Sequence, residues 1–330
     1  MAFAPLICQF GAQDRIGGFP SLRRIEFAID TIVQASTMFL ATAISQCSKI
    51  ERFAQNMCID KFVLDPQDFA RDGVACLRGI VDAAMVARLA AAVDRAMAKP
   101  AKRAIEFNAP GEAGRFFGDM FMWRRDADFR AAFFETACAA AAGLAMGATR
   151  VHLFYDQIFA KEPATPRATP WHQDFSYWPA TGTQFCTVYV ALDEIDADNG
   201  AVEYVAGSHR WGADFRPAPF RAGGEDAPRY TASALDASPD IDAARATLDV
   251  RSFALKPGDA TLFDRRLIHG ASGNASATRR RRTLALRFAG DDVRWREDVN
   301  TFQALRRAGL KTGDSLDKRR DLFPLLWVRP

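Results

Sequence analysis

From residue 150 onward the chain breaks into short runs of β-branched and aromatic residues, each closed by Gly, Pro or Asp. The runs cover 150–161, 183–192, 201–205, 250–255, 260–263 and 283–288. Short strands separated by turn signals predict an antiparallel barrel or double-sheet jelly roll. Ahead of them, 74–80 reads as a strand. Asp82 then caps a helix whose apolar Met85, Val86, Leu89, Val93 and Met97 recur at helical spacing and which stops before Pro100. A second helix is predicted over about 128–144, ending near Gly147. The class is therefore mainly β with flanking helices, α+β.

Residues 1–56 differ in character. The apolar stretch 27–44 is interrupted by Asp30 and Gln34, which makes it a poor membrane span, and the first basic residue, Arg15, comes too late for a secretory signal. This segment is read as a poorly ordered extension preceding a single domain over 57–330. The polar stretch 222–247 fits no strand and is read as a lid-like insertion.

With 49% hydrophobic and 25% charged residues, disordered, collagen-like and coiled-coil chains are excluded. The 43 basic and 40 acidic residues nearly cancel, so neither nucleic acid nor an anionic membrane is demanded as a partner. Six dispersed Cys without a CxxC read as reduced thiols of a cytoplasmic protein. Oligomeric state is not legible.

Histidine is scarce: only His152, His172, His209 and His269 can serve a metal or acid–base site. In an extended chain, residues two apart share a face, so His172 and Asp174 in Pro170-Trp171-His172-Gln173-Asp174 point the same way. A third ligand would complete the arrangement of two His and one carboxylate that leaves iron(II) with open positions. His269, in a turn-rich stretch beyond the strand 260–263, is the best candidate. His152, on a strand, and His209, in a turn, read as structural. Past His269 comes Arg279-Arg280-Arg281-Arg282, leading into alternating Thr283, Leu284, Ala285, Leu286, Arg287 and Phe288. The run could be a solvated or nucleic-acid-attracting patch. Strand parity, however, puts Arg281 on the face of Thr283 and Ala285, and an inward guanidinium needs an anion such as a dicarboxylate.

An ordered series of segments now resembles one family. It comprises Asp72-Gly73-Val74, Leu77-Arg78-Gly79, Lys161-Glu162-Pro163, Trp171-His172-Gln173-Asp174 with Tyr177-Trp178-Pro179, and Val190-Ala191-Leu192-Asp193. Asp198-Asn199-Gly200, Gly207-Ser208-His209-Arg210, Pro257-Gly258-Asp259 and His269-Gly270 with Asn274 complete it. From about residue 58 to Trp327 the chain resembles the phytanoyl-CoA dioxygenase family of iron(II)- and 2-oxoglutarate-dependent oxygenases, which implies a double-stranded β-helix (jelly roll, cupin-like) core. The resemblance places the metal ligands at His172, Asp174 and His269. It places the 2-oxoglutarate arginine at Arg280 by counting from the distal His, or at Arg281 by strand parity. Trp178, Gln157 and Lys161 are expected to line the co-substrate pocket. Ala271 departs from the Ser of many relatives, and Ser272 stands beside it.

The implied reaction couples dioxygen and decarboxylation of 2-oxoglutarate to succinate and CO2 with hydroxylation of a C–H bond on a small-molecule or acyl substrate. Asp174 favours hydroxylation over halogenation, because halogenating relatives replace this carboxylate. The alternative is a metal-dependent hydrolase or isomerase on a cupin-like barrel, which would need no inward arginine.

Overall fold

The computed structural model describes residues 63–220, 234–296, 305 and 308–330. The expected extension over 1–56 lies outside these residues, as does 222–233 of the expected lid.

Asp65 caps helix α1 (Pro66–Asp72) by accepting the Gln67 N–H, and Gly73, at φ 77°, ends it in the left-handed region. Strand β1 (Val74–Leu77) and helix α2 (Ala83–Ala98) follow, the helix capped by Asp82 accepting from Met85 N–H at 2.8 Å. Next come β2 (Ile105–Glu106), β3 (Phe116–Met120), α3 (Ala127–Phe134) and α4 (Cys138–Met146). The single helix expected over 128–144 is thus two, bent by 45°. The Thr136 hydroxyl donates to Ala132 O at 2.6 Å, the local competition with helical hydrogen bonding that breaks the run.

The strand region contains β4 (Arg150–Lys161), β5 (Thr169–His172), β6 (Ala180–Thr181), β7 (Phe185–Ala191) and β8 (Val202–Val205). Beyond it lie helix α5 (Ile241–Ala244), β9 (Val250–Ser252), β10 (Ala260–Asp264), β11 (His269–Ala271), β12 (Arg281–Ala289), β13 (Arg294–Trp295) and β14 (Leu325–Val328). The described part of the expected lid is therefore not structureless: Asp240 caps α5, and a 3-10 turn at Arg245–Thr247 continues it. The longest strand was readable because its residues from Val151 to Lys161 are all buried.

An eight-stranded antiparallel sheet runs β1-β10-β7-β12-β4-β3-β2, with β14 also on β4; a four-stranded sheet runs β5-β11-β8-β9. This is the two-sheet jelly roll. The large sheet sorts its side chains by parity. Leu284, Leu286 and Phe288 face outward and pack with Leu89, Val93 and Phe133 of the helices, Phe133 meeting Phe288 edge-on at 5.6 Å. The alternate set, Arg281, Thr283, Ala285 and Arg287, is buried on the opposite face, toward the second sheet. Covering one face of the sheet with helices leaves the other free to carry polar chemistry. No single helix among the described residues is long and apolar enough to cross a membrane.

Candidate active site

His172 ends β5 and His269 begins β11, and the two are direct cross-strand partners, their rings 4.2 Å apart. Each Nδ1 faces a backbone carbonyl two residues back: His172 that of Pro170 at 2.8 Å, His269 that of Leu267 at 2.9 Å. A carbonyl only accepts, so both Nδ1 atoms carry the hydrogen and both Nε2 lone pairs are free for a metal. Burial, reinforced by the neighbouring His269, lowers the His172 pKa to about 3, and burial likewise lowers that of His269. Both rings are neutral, the form that ligates.

Gln173 is extended, with φ −108° and ψ 135°, and carries the chain from His172 into a 3-10 turn opened by Asp174. Asp174 Oδ1 lies 3.8 Å from His172 Nε2. Its Oδ2 accepts from the Thr187 hydroxyl at 2.9 Å, and Arg287 Nη2 stands 3.5 Å from Oδ1. Burial would push this carboxyl up, but Arg287 and the two imidazoles, with Thr187, hold it at about 2. One ligand atom from each of His172, Asp174 and His269 lies within 4.8 Å of the others, all three side chains being buried. Two imidazoles and one carboxylate suit a first-row ion such as iron(II) and leave coordination positions open.

The four arginines take different surroundings. Arg280 turns outward and pairs with Glu162 and Asp94; Arg282 pairs with Asp193 and Asp94, and Arg279 with Asp196. Each of those three guanidiniums thus has a carboxylate partner. Arg281 alone is buried, and Nη1 donates to Gly200 O while Nε meets no acceptor. Gly200, at φ 85°, passes so close to Ser272 and Gly273 that a Cβ would meet their carbonyls at 2.8 Å, so glycine is required there. Lys161 is the register partner of Arg281 and is equally buried, Nζ donating to Ser272 O at 2.6 Å. Burial, with Arg281 nearby, pushes its pKa well down. Asn274 locks this corner by donating to Lys161 O, Glu162 O and Arg279 O.

The remaining expected residues divide. Gln157 is buried on β4, in register with Ala285 and Met120. Trp178 is not brought to Arg281. The 3-10 turn after Asp174 carries it into an aromatic cluster with Phe154 and Phe185, its indole N–H donating to Tyr155 Oη at 2.9 Å. The Ser272 hydroxyl donates to Gly273 O. His209 is held against Ala70 O and His152 against Phe323 O, both away from the cluster of ligands.

The phytanoyl-CoA dioxygenase (PhyH) family model matches residues 69–282, more than half of the chain. The chain belongs to the phytanoyl-CoA dioxygenase family. It is 29% identical over 138 residues to the L-proline trans-4-hydroxylase of Streptomyces griseoviridis, covering 39% of this chain and 52% of that protein. It is 25% identical over 262 residues to the multifunctional dioxygenase prhA of Penicillium brasilianum, covering 74% of this chain and 77% of that protein. The match thus spans about half the length of the proline hydroxylase. Among solved structures, the epimerase SnoN in complex with Fe3+, alpha-ketoglutarate and nogalamycin RO superposes with a TM-score of 0.62 at 20% identity, covering 85% of this chain and 99% of that one. That likeness establishes the shared fold.

Within this family member, sequence reasoning passed over Arg287 and Thr187. Both were readable in part: Arg287 shares the parity that selects Arg281, and Thr187 sits on a strand whose neighbours are all apolar. Also unanticipated was Ser208, whose hydroxyl accepts from Ile268 N–H at 2.9 Å and so fixes the residue before His269.

Proposed function

We propose that the protein is an iron(II)- and 2-oxoglutarate-dependent dioxygenase that hydroxylates a C–H bond of a small molecule with release of succinate and CO2. The observation that carries this reading is the meeting of His172, Asp174 and His269 in one buried cluster, together with a buried Arg281 whose Nε is unpaired on the inner face of the large sheet. Family membership supports it, as do relatives named for oxidation of L-proline and hypophosphite. The described strands build one jelly roll, which supports a single domain over 57–330. The described cysteines Cys76, Cys138 and Cys186 are free thiols, which supports a cytoplasmic location.

His172, Asp174 and His269 would hold the iron, and Arg281, assisted by Lys161, would grip the distal carboxylate of 2-oxoglutarate. When bound, iron(II) and 2-oxoglutarate supply the oxidising power that turns dioxygen onto a C–H bond. The protein's own part is orientation and exclusion of water. Backbone carbonyls fix both imidazoles in the ligating tautomer, Thr187 and Arg287 steer the Asp174 carboxylate, and the guanidinium of Arg281 sets the co-substrate's direction.

Anaerobic addition of iron(II) and 2-oxoglutarate should produce a weak visible charge-transfer band that disappears in His172→Ala. Metal binding without such a band would instead favour a hydrolase or isomerase working on the same ligands.

A further inference from the structure

We propose that Arg287 is the recognition site for a carboxylate on the primary substrate, an inference that rests on the dioxygenase reading above. Arg287 is 4% exposed, and its guanidinium lies over the Tyr155 ring at 4.6 Å. Among the described residues, only Nη2 has a hydrogen-bonding partner, Asp174 Oδ1 at the long distance of 3.5 Å. Nε and Nη1 are buried and meet no acceptor among the described residues. Leaving charged donors buried and unpaired is strongly unfavourable, so the arrangement calls for an anion that the described residues do not supply.

Asp174 is not that anion once it serves the metal. The dication, Asp174, the dianionic co-substrate and Arg281 neutralise one another, leaving the charge of Arg287 without a counterion. Nor does the co-substrate reach it from Arg281, because the two arginines sit near opposite ends of β12, with backbones about 20 Å apart at the usual rise per strand residue. Asp156 leaves β4 on the opposite parity to Tyr155 and bonds to Trp123 N–H, so it does not fill the place. A single surplus positive charge matches a carboxylate monoanion better than a phosphate dianion, and the guanidinium binds carboxylates through charge-assisted hydrogen bonds. Placed beside a ligand of the metal, such a carboxylate would hold the neighbouring carbon of the substrate close to the reacting centre.

The test uses two matched pairs, cyclohexanecarboxylate with its amide and phenylacetate with its amide. Thermal shift is read on full-length protein loaded anaerobically with iron(II) and saturating 2-oxoglutarate. The acids should stabilise the parent protein with at least tenfold tighter apparent binding than the amides. Arg287→Gln should erase the preference, Arg287→Lys should keep part of it, and Arg280→Gln, on the outer face, should keep all of it. Equal responses to acid and amide, including no response to either, overturn the proposal, as does a preference that survives Arg287→Gln. With iron(II) alone and no 2-oxoglutarate, the preference should persist in the parent protein and vanish in Arg287→Gln. Absence of the visible band, which sinks the dioxygenase reading, is thereby told apart from absence of the preference, which sinks this one.

Discussion

Arg280 and Arg281 are adjacent in the chain yet face opposite sides of one sheet, and that difference decides their chemistry. Arg281 is buried with an unpaired Nε, whereas Arg280 is spoken for by Glu162 and Asp94. Arg281→Gln should weaken 2-oxoglutarate binding by about ten- to a hundredfold, the loss of one charge-assisted hydrogen-bonded pair of ~1.5–3 kcal/mol. Arg280→Gln should change it by less than about twofold, and titration of the visible band checks both. Asp156 offers a second residue-scale test. Burial, opposed by the Trp123 N–H, pushes its carboxyl up to about 7. The unfolded chain loses that proton near ~3.9. A raised native pKa means stability is full below the unfolded value and is lost as pH climbs through the folded one, here a decline of a few kcal/mol, roughly, between about pH 4 and 7. Asp156→Asn, which mimics the protonated acid, should match the parent in urea at pH 4.5 and exceed it at pH 8. Parallel pH profiles for the two proteins would refute the burial argument.

At the scale of elements, α4 shows how packing overrides propensity. Gly143 sits inside this helix, where alanine is favoured by about 1 kcal/mol. A Cβ at Gly143 would, however, overlap the Trp327 ring on β14. Gly143→Ala should therefore lower the melting temperature, at an overpacking cost of about 1–3 kcal/mol. In a Trp327→Leu background the penalty should shrink, a coupling that a double-mutant cycle measures directly. An alanine that raised the melting temperature would show that β14 moves aside freely. Strand β4 was legible because its burial is continuous. By contrast β5 and β11, the strands that bring the histidines together, are four and three residues long and contain Pro and Gly. No local pattern announces strands so short; pairing with each other and with β8 makes them.

For the whole molecule, the decisive feature is that the ligands come from separate parts of the jelly roll. His172 and His269 belong to the small sheet, while Asp174 is steered by Thr187 and Arg287 of the large one. An ion held by all three ties the sheets together only in the folded state, so it should stabilise by mass action. Anaerobic iron(II) at a hundred times its dissociation constant should add about 2.7 kcal/mol, seen as a rise in melting temperature. A chelator should reverse the rise, and His269→Ala should abolish it. A melting temperature indifferent to metal in the parent protein would count against the three residues acting as one site.

The residues alone determined a mainly antiparallel barrel or jelly roll, the helix capped by Asp82 and the shared face of His172 and Asp174, and they narrowed the inward arginine to Arg280 or Arg281. Each of these is a short-range or periodic property: a cap, an alternation, a two-residue spacing. Tertiary structure decided what depends on distant neighbours. It broke the expected helix at Thr136, sent Trp178 into an aromatic cluster, and gave outward partners to Arg279, Arg280 and Arg282. It also aligned His172 opposite His269 and left Arg287 buried against Asp174 with donors to spare. Spacing along a strand tells which side a residue faces, but only the folded sheets tell which residue waits there to meet it.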